Sequence, residues 1–124
     1  TALEEFMRFD APLHMFERTA TADTEIGGVA IKEGQKIAAL IGSANRDETV
    51  FSSPETMDLT RDPNPHIGFG AGIHFCIGAP LARLEMSVSL PALWEKYPDM
   101  QLAGDAVRRP TFVLRGYESV AISA

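Results

Sequence analysis

The first ten residues have the spacing of an amphipathic helix. Leu3, Phe6 and Met7 fall on one face, while acidic residues and one arginine occupy the remaining positions. A proline disfavours helical backbone in the residue that precedes it. We therefore predict the end of an acidic amphipathic helix over residues 1–10, stopped before Pro12.

Short apolar runs separated by turn residues follow this helix. Gly27-Gly28 is a typical hairpin turn between two such runs, and Glu33-Gly34 marks another turn. Strands joined by tight turns pair antiparallel, so we expect a small, mostly antiparallel sheet. The pattern predicts strands over residues 15–20, 24–26, 29–31 and 36–41.

Residues 45–68 show neither helical nor strand periodicity and are rich in Asp, Asn, Ser and Pro. Loops longer than ~15 residues are uncommon in compact domains and are usually functional or disordered. Apolar residues recur within this one, among them Val50, Phe51 and Leu59. We therefore predict an ordered meander that packs on another part of the protein.

A second helix is predicted to begin near Ala79 and to end at Pro98. Pro80 suits its first turn, where a missing N–H costs no hydrogen bond. Pro91 lacks the N–H that would bond the carbonyl four residues back, so we expect a kink there. The helix carries an apolar stripe made of Leu81, Leu84, Val88 and Ala92.

The tail of the chain holds two further strand candidates. They cover residues 111–114 and 119–123 and are joined by a turn at Arg115-Gly116. Helices and short antiparallel strands occupy separate stretches of the chain, so the predicted fold class is α+β.

Composition narrows the possible partners and compartments. The chain has 124 residues, enough for a single domain, and its net charge of −6 argues against a nucleic-acid partner, which requires a basic surface. No apolar run approaches the ~20 residues that span a bilayer, and no secretory signal is recognisable. We therefore expect a cytoplasmic protein with no membrane partner. The sole cysteine, Cys76, excludes an internal disulfide and a zinc site built from several cysteines.

Residues 68–78 are glycine-rich and contain Cys76. The two common phosphate-binding motifs both fail here, because Gly-Lys-Ser/Thr is absent and Phe75 stands where a dinucleotide motif needs its third glycine. His74 and Cys76 are two residues apart and could share a face of an extended strand as a catalytic pair. That pairing leaves the glycines without a role. A lone cysteine is most often a small buried apolar residue.

A thiolate metal ligand at the start of a helix explains more of this segment. Cys76 lies just before the predicted second helix, where free N–H groups and the helix dipole stabilise an anion. Gly70, Gly72 and Gly78 allow sharp turns and let the backbone approach a flat ligand without a Cβ clash. The flanking phenylalanines keep water from the sulfur. One thiolate suffices as the single protein ligand of a haem, whose porphyrin supplies four other bonds.

The segment Phe69-Gly-Ala-Gly-Ile-His-Phe-Cys76-Ile-Gly78 resembles the haem-binding signature of the cytochrome P-450 family, Phe-Gly-x-Gly-x-His/Arg-x-Cys-x-Gly. Residues 78–85 continue as bacterial members of that family do. Glu5-Phe-Met-Arg8 is similar to the family's Glu-x-x-Arg element on its K helix. Shorter similarities in the first strand, the meander and the late turn follow in the family's order, so the resemblance covers essentially the whole chain.

The resemblance implies that residues 1–124 form a single partial domain, the carboxy-terminal and proximal haem-binding portion of the cytochrome P-450 fold. That portion comprises the K-helix end, small β-sheets, the meander, the Cys loop and the L helix. It implies haem b (iron protoporphyrin IX) as cofactor, with Cys76 as the iron ligand. His74 and Arg18 are implied to bind haem propionates, and Phe69 to pack beside the sulfur.

The resemblance also implies a structural role for Glu5 and Arg8. They would form a buried ion pair that locks the meander through a third partner. Arg61 is the candidate for that partner, with His66 as the rival.

A complete member of the family would be a monooxygenase that inserts one oxygen atom from O2 into a small organic substrate. Electrons would come from a ferredoxin-type redox partner. This chain is expected to be a fragment that lacks the distal helices and the substrate pocket, and to be inactive alone. The alternatives are a non-catalytic haem-binding or interaction module and a truncated form that folds without haem. Half a haem pocket exposes an apolar face, so we also expect self-association or association with a missing amino-terminal part.

Overall fold

The computed structural model describes residues 1–123. Helix α1 spans Ala2–Phe9, the single-turn helix α2 spans Ile41–Ala44, and helix α3 spans Ala79–Lys96. A short 3-10 helix covers Gly72–His74, directly before the cysteine. Helix α1 contacts α3, and α2 contacts the first strand. Met7 of α1 lines a cavity with Cys76, and Ile41 of α2 lines a neighbouring cavity with His74.

Within residues 1–123, eight short strands pair antiparallel in four separate two-stranded sheets. Strand β1 pairs with β4, β2 with β3, β5 with β8, and β6 with β7. Helices and small sheets thus occupy separate parts of the chain, which confirms the predicted α+β class. The strands are β1 (Met15–Thr19), β2 (Thr24–Ile26), β3 (Val29–Ile31), β4 (Lys36–Leu40), β5 (Gln101–Leu102), β6 (Val107–Arg108), β7 (Tyr117–Ser119) and β8 (Ile122–Ser123).

Helix α1 places its charges where the helix dipole favours them. Glu4 and Glu5 lie in the first turn and Arg8 in the last. The Asp10 N–H donates to the Phe6 carbonyl (3.1 Å) and closes the helix two residues before Pro12. The predicted helix over residues 1–10 is confirmed to within one residue at each end.

The first four strands agree closely with the pattern of the sequence. Strands β1 and β4 pair from Met15 opposite Leu40 to Thr19 opposite Lys36. The hairpin β2–β3 turns at Gly27-Gly28, whose φ angles of 58° and 80° are those that a tight two-residue turn requires. The predicted turn chemistry therefore sets the register of this hairpin.

Helix α3 begins after Gly78, holds Pro80 in its first turn and ends before Pro98. It continues through Pro91 as one helix. Its apolar stripe is largely exposed, with Leu81 and Leu84 each 59% and Val88 63% accessible. The stripe therefore has no partner among residues 1–123.

The tail differs from the expectation. The predicted strand over residues 111–114 is wrong, because the Thr111 N–H turns back to the Arg109 carbonyl (2.8 Å) and only Leu114 forms an isolated bridge, to Leu13. The predicted strand over residues 119–123 is divided between β7 and β8, which pair with different partners. The paired segments of the tail are only two or three residues long, too short for an alternating pattern to identify.

The core of the described chain is small and half polar. The buried apolar residues are Ala11, Ile41, Phe51 and Ala79, and the buried polar residues are Glu5, Arg8, Asn45 and Arg61. The accessible surface is 8841 Å², whereas a compact monomer of this mass exposes roughly 6,500 Å². Much apolar surface therefore remains exposed to solvent, and polar side chains, most of them charged, make up about half of the buried residues.

Across residues 1–123, no helix combines the length and the apolar character that crossing a membrane requires.

Candidate functional site

Cys76 lies in a tight loop between the 3-10 helix and α3. Its N–H donates to the Phe69 carbonyl (2.8 Å), which closes the loop, and its own carbonyl accepts from the Ala79 N–H (3.1 Å) at the start of α3. The thiol is free and exposed. The sulfur therefore sits beside the amino end of a helix, where a negative charge is favoured.

Two of the three predicted glycines have the backbone that requires glycine. Gly70 has a φ of 76°, and a Cβ there would lie 2.9 Å from the His74 carbonyl oxygen. Gly72 has a φ of 58° in open space. Gly78 differs from the expectation, because its φ is −84° and a Cβ would meet the Cys76 sulfur at an ordinary 3.7 Å. Any residue can adopt this backbone conformation. The space beside the Cys76 sulfur is therefore the only feature that favours glycine at position 78.

An apolar cavity of about 550 Å³ opens beside the cysteine. This volume lies in the range of small-molecule and cofactor sites. Cys76 and Phe69 line it together with residues from α1, β1 and the tail, so it brings distant parts of the chain to the sulfur. The remaining lining residues are Met7, Pro12, Leu13, Phe16, Gly68, His74, Phe75, Ile77 and Leu114.

A second, smaller cavity of about 280 Å³ adjoins the first, since Phe16 and His74 line both. Arg18 lines this second cavity together with Gly70. The Arg18 guanidinium donates to the Glu17 carbonyl (2.9 Å) and lies 5.5 Å from the centre of the Phe16 ring. The structure thus brings Arg18 and His74 together at the polar edge of a largely apolar space.

Glu5, Arg8 and Arg61 form one buried cluster. The Arg8 Nε and Nη2 atoms donate to the two Glu5 oxygens at 2.7 Å each, and Arg61 Nε lies 3.2 Å from Oε2. Burial raises the pKa of Glu5, but hydrogen bonds from Arg8, the Asp58 N–H and Arg61 outweigh it and lower the pKa to about 2. Glu5 therefore stays ionised, and Arg61 is the third partner in this geometry.

The same two arginines hold the meander through its backbone. Arg8 Nη1 donates to the carbonyls of Asn45 and Pro54 (2.9 Å each), and Arg61 Nη1 donates to the Ser52 carbonyl (2.9 Å). Buried carbonyls without helical or strand partners need such donors. The cluster thereby orders a segment that has no regular secondary structure.

Known proteins are similar to this chain over most of its length. The family model described as Cytochrome P450 matches residues 1–102. The chain belongs to the cytochrome P450 family. It is 41% identical over 124 residues to the biotin biosynthesis cytochrome P450 of Bacillus subtilis, covering 99% of this chain and 31% of that protein. It is 45% identical over 123 residues to a steroid C26-monooxygenase of Rhodococcus jostii, covering 98% and 26%.

Solved cytochrome P450 structures share the fold. CYP109B1 from Bacillus subtilis superposes with a TM-score of 0.95 at 46% identity, over 99% of this chain and 34% of that one. P450BioI, in complex with an acyl carrier protein that carries hexadec-9Z-enoic acid, superposes with a TM-score of 0.95 at 40% identity, over 98% and 32%. The chain thus spans about a third or less of these P450 proteins and corresponds to the region near their carboxyl termini.

The residues present in this P450 chain fit a haem. One exposed thiol faces an apolar cavity, and a cation and an imidazole line its adjoining polar edge. A haem presents the complementary groups: an iron that can bind a thiolate, an apolar ring and two carboxylates at one edge. Cys76 would hold the iron, and Arg18 and His74 would hold the carboxylates.

Sequence reasoning missed two asparagines that complete the P450 core. Asn45 is fully buried, and its Oδ1 accepts from the Ile67 N–H (2.8 Å). Asn64 Nδ2 donates to Glu5 Oε2 (3.0 Å). Both lie in the predicted meander, where asparagine is common in exposed turns, so residue type alone gave no signal of burial.

Sequence reasoning also missed a contact between helices α1 and α3. Glu4 Oε1 and Oε2 accept from Arg83 Nε and Nη2 at 2.7 and 2.8 Å. His66, the rival third partner of the Glu5–Arg8 pair, bonds Glu4 Oε2 instead (2.8 Å). Adjacent helical residues point about 100° apart, so Glu4 and Glu5 serve different neighbours. The sequence signal for these two contacts was the adjacent acidic pair, Glu4 and Glu5.

Proposed function

We propose that this chain is the proximal haem-binding portion of a haem-thiolate monooxygenase, with Cys76 as the protein ligand of the iron. The observation that carries the proposal is the exposed Cys76 sulfur facing an apolar cavity whose polar edge holds Arg18 and His74. Cysteine-ligated haem is the cofactor of this family, and its thiolate favours O–O bond cleavage.

Each surrounding residue has a defined task in this proposal. Cys76 supplies a negatively charged ligand at the amino end of α3. Phe69 and Phe75 line the cavity, and they would shield the sulfur from water once a haem covers the cavity. Arg18 and His74 bind the propionates, since a guanidinium matches a carboxylate with two parallel hydrogen bonds.

For the whole enzyme we propose insertion of one oxygen atom from O2 into a small organic substrate. Electrons would come from a ferredoxin-type redox partner, and the enzyme would be cytoplasmic. The relatives include proteins named for biotin and polyketide biosynthesis and for steroid oxidation, so similarity assigns no substrate. The chain spans about a third or less of these relatives, and we propose that it has no turnover alone.

The test is haem titration of the purified chain, followed by absorbance spectra with and without reductant and CO. We expect a Soret band and the reduced-CO spectrum of a thiolate-ligated haem. Cys76→Ala should abolish that spectrum, because the iron loses its only sulfur ligand. Ile73→Ala is the matched control, since Ile73 is 97% exposed in the same loop and lies outside the cavity lining.

Three results would contradict parts of the proposal. Unchanged haem uptake and spectrum in Cys76→Ala would exclude the sulfur as ligand. Failure of the wild-type chain to take up haem would favour the alternative of a truncated protein that folds without haem. Oxidation of a substrate by the chain alone, above the rate of free haem, would contradict the proposed inactivity.

The propionate contacts have a separate test. Arg18→Gln and His74→Gln should each weaken haem binding about tenfold, the usual loss for one charge-assisted hydrogen bond. The measurement is the rate of haem transfer from the loaded chain to an excess of apomyoglobin. Arg109→Gln, which changes an exposed arginine of the tail, is the charge-matched control. Equal transfer rates for Arg18→Gln and the control would exclude Arg18 from the site.

A further inference from the structure

Glu4 joins three parts of the chain that are far apart in sequence. It lies on α1, accepts both hydrogen bonds of the Arg83 fork from α3 (2.7 and 2.8 Å), and bonds His66 at the end of the meander (2.8 Å). Bidentate pairs of this kind fix orientation as well as distance. Glu4 therefore holds two side chains in place at once.

The hydrogen bonds define which nitrogen of His66 carries the proton. Nδ1 accepts from the Gly68 N–H (3.0 Å), so it carries no hydrogen. Nε2 therefore donates to Glu4 Oε2. Both ring nitrogens are in use, and the imidazole plane is fixed between α1 and the segment that enters the Cys76 loop.

Both partners of Glu4 contact the same phenylalanine. The Arg83 guanidinium carbon lies 4.8 Å from the centre of the Phe69 ring, a favourable cation–π distance. The His66 and Phe69 ring centres are 6.2 Å apart. Phe69 is thus held by two side chains that a single carboxylate orients.

Phe69 connects this arrangement to the cysteine. Its carbonyl accepts the Cys76 N–H (2.8 Å), and its ring lines the same cavity as the thiol. A shift of Phe69 would therefore move both the backbone contact of Cys76 and the apolar wall beside the sulfur.

We propose that Glu4, Arg83 and His66 form a clamp that positions Phe69, and through it Cys76, for haem ligation. Glu4 and Arg83 are positioning residues, because they act on the sulfur only through Phe69. The proposal rests on the proposed function as far as haem is concerned. The geometry of the clamp itself belongs to the chain without any cofactor.

Within the clamp, Glu4 and Arg83 keep their charges over the working range of pH. The Arg83 hydrogen bonds lower the pKa of Glu4 to about 2 against a smaller effect of burial, and they raise the pKa of Arg83. The pair is only partly exposed, with 29% of the Glu4 side chain and 38% of the Arg83 side chain accessible. The Glu4–Arg83 pair can therefore hold the Arg83 side chain in place at neutral pH.

The first experiment measures hydrogen exchange at the Cys76 amide in the chain without haem. Arg83→Gln and Glu4→Gln should each speed exchange about tenfold, because each removes the charge-assisted bonds that orient the side chains packed on Phe69. The double variant should exchange no faster than the faster single variant, since both act on one clamp. Arg83→Lys keeps the charge but loses the fork and should fall between wild type and Arg83→Gln.

Arg109→Gln is the matched control, with the same change of residue and charge outside the clamp. It should leave the Cys76 amide unchanged. Exchange at that amide in Arg83→Gln equal to the control would overturn the proposal, as would an effect in Glu4→Gln that adds fully to that of Arg83→Gln. Should Arg83→Gln fail to fold, Arg83→Lys decides in its place: exchange equal to wild type overturns the clamp.

The second experiment uses the haem-loaded chain and measures the reduction potential and the reduced-CO absorbance band. A merely structural pair would leave both unchanged in molecules that retain haem. The clamp requires both to shift in Arg83→Gln, to return towards wild type in Arg83→Lys, and to stay constant in the control; unshifted values overturn its role towards haem. Absence of haem in the wild-type chain would contradict the proposed function, while the exchange result would still decide whether the clamp exists.

Discussion

Gly70 and Gly72 both have positive φ angles, but the space around them differs. Gly70 also lacks room for a side chain, because a Cβ would lie 2.9 Å from the His74 carbonyl oxygen, whereas the space around Gly72 is open. A side chain at positive φ costs about 1–2 kcal/mol by itself. The two positions therefore separate backbone strain from steric overlap within one loop.

We expect Gly70→Ala to lower the free energy of unfolding by about 2–4 kcal/mol and Gly72→Ala by about 1–2 kcal/mol. Urea unfolding followed by circular dichroism measures both. Gly104→Ala is the control, because a Cβ at that exposed position meets nothing within 4 Å and φ is not positive. Equal losses for Gly70→Ala and Gly72→Ala would show that the backbone moves away from the His74 carbonyl at little cost.

The buried Glu5 carboxylate should contribute strongly to stability. Glu5→Gln removes the charge that compensates Arg8 and Arg61 and should cost about 3–5 kcal/mol of stability, since it leaves buried cations unpaired. Glu25→Gln on exposed strand β2 is the control and should change stability by less than about 0.5 kcal/mol. A loss in Glu5→Gln as small as that of the control would mean that the backbone carbonyls alone satisfy both guanidinium groups.

The sequence predicted some residues of the site better than others. The spacing around Cys76 was specific enough to single out the loop, because positive-φ glycines and a following helix leave a clear pattern. The Glu4–Arg83 contact joins positions 79 residues apart. Local spacing carries no information on such a pair, and only the tertiary structure brings it together.

At the scale of elements, α1 is a junction. Its Glu4 side chain faces α3, and its Glu5 side chain faces the meander. Both carboxyl groups have pKa values lowered to about 2, in Glu4 chiefly by Arg83 and in Glu5 by Arg8 against burial. The attachment of both neighbours to α1 therefore depends on ionised carboxylates.

Acid should loosen this junction. As pH falls, the glutamates of an unfolded chain take up protons near pH 4.3, at a higher pH than those of the folded chain. The stabilisation by the two carboxylates is therefore fully present above about pH 5 and is lost as pH falls towards 2. The lowered pKa of Glu5 corresponds to about 3 kcal/mol, with less from Glu4, which is partly exposed. Urea midpoints measured from pH 7 to pH 3 should fall accordingly.

Glu4→Gln supplies the control for this expectation. It should lower stability at pH 7 and show a shallower loss on acidification, because one of the two titrating groups is gone. An unchanged pH profile in Glu4→Gln would mean that its carboxylate does not contribute to the acid sensitivity.

Elements with a strong local signal were predicted well, and those without one were not. Helix α1 has clear apolar periodicity, and helix α3 has prolines near its two ends. The hairpin β2–β3 has a glycine pair between its strands. Helix α2 has four residues and β5 and β6 have two each. Such short elements form because of tertiary contacts, which override weak local preferences.

At the scale of the whole molecule, the surface is too large for a self-sufficient monomer. The 8841 Å² that the chain exposes exceeds the value for a compact protein of its mass by roughly 2,300 Å². Exposed apolar side chains beside the cysteine, Ile73 and Ile77, contribute to this excess with 97% and 100% accessibility. One partner of a standard specific interface buries about 800 Å², so the excess surface of this chain is well above such a share.

We therefore expect the haem-free chain to self-associate at micromolar concentration, and haem to reduce that association by covering apolar surface. Sedimentation velocity over a range of concentrations measures both effects. Ile73→Asp and Ile77→Asp should shift the equilibrium towards monomer. A clean monomer without haem at every concentration would show that this apolar face is tolerated in water.

The arginine bonds to the meander have an evolutionary consequence. Arg8 and Arg61 bind carbonyl oxygens of Ser52, Pro54 and Thr56, not their side chains. Every amino acid has that backbone carbonyl oxygen, so residues at these positions of the meander can be substituted while its backbone conformation is kept. Arg8 and Arg61 cannot be replaced in this way, because the bonds depend on their guanidinium groups. Substitutions should therefore accumulate at the accepting residues of the meander and not at the two arginines.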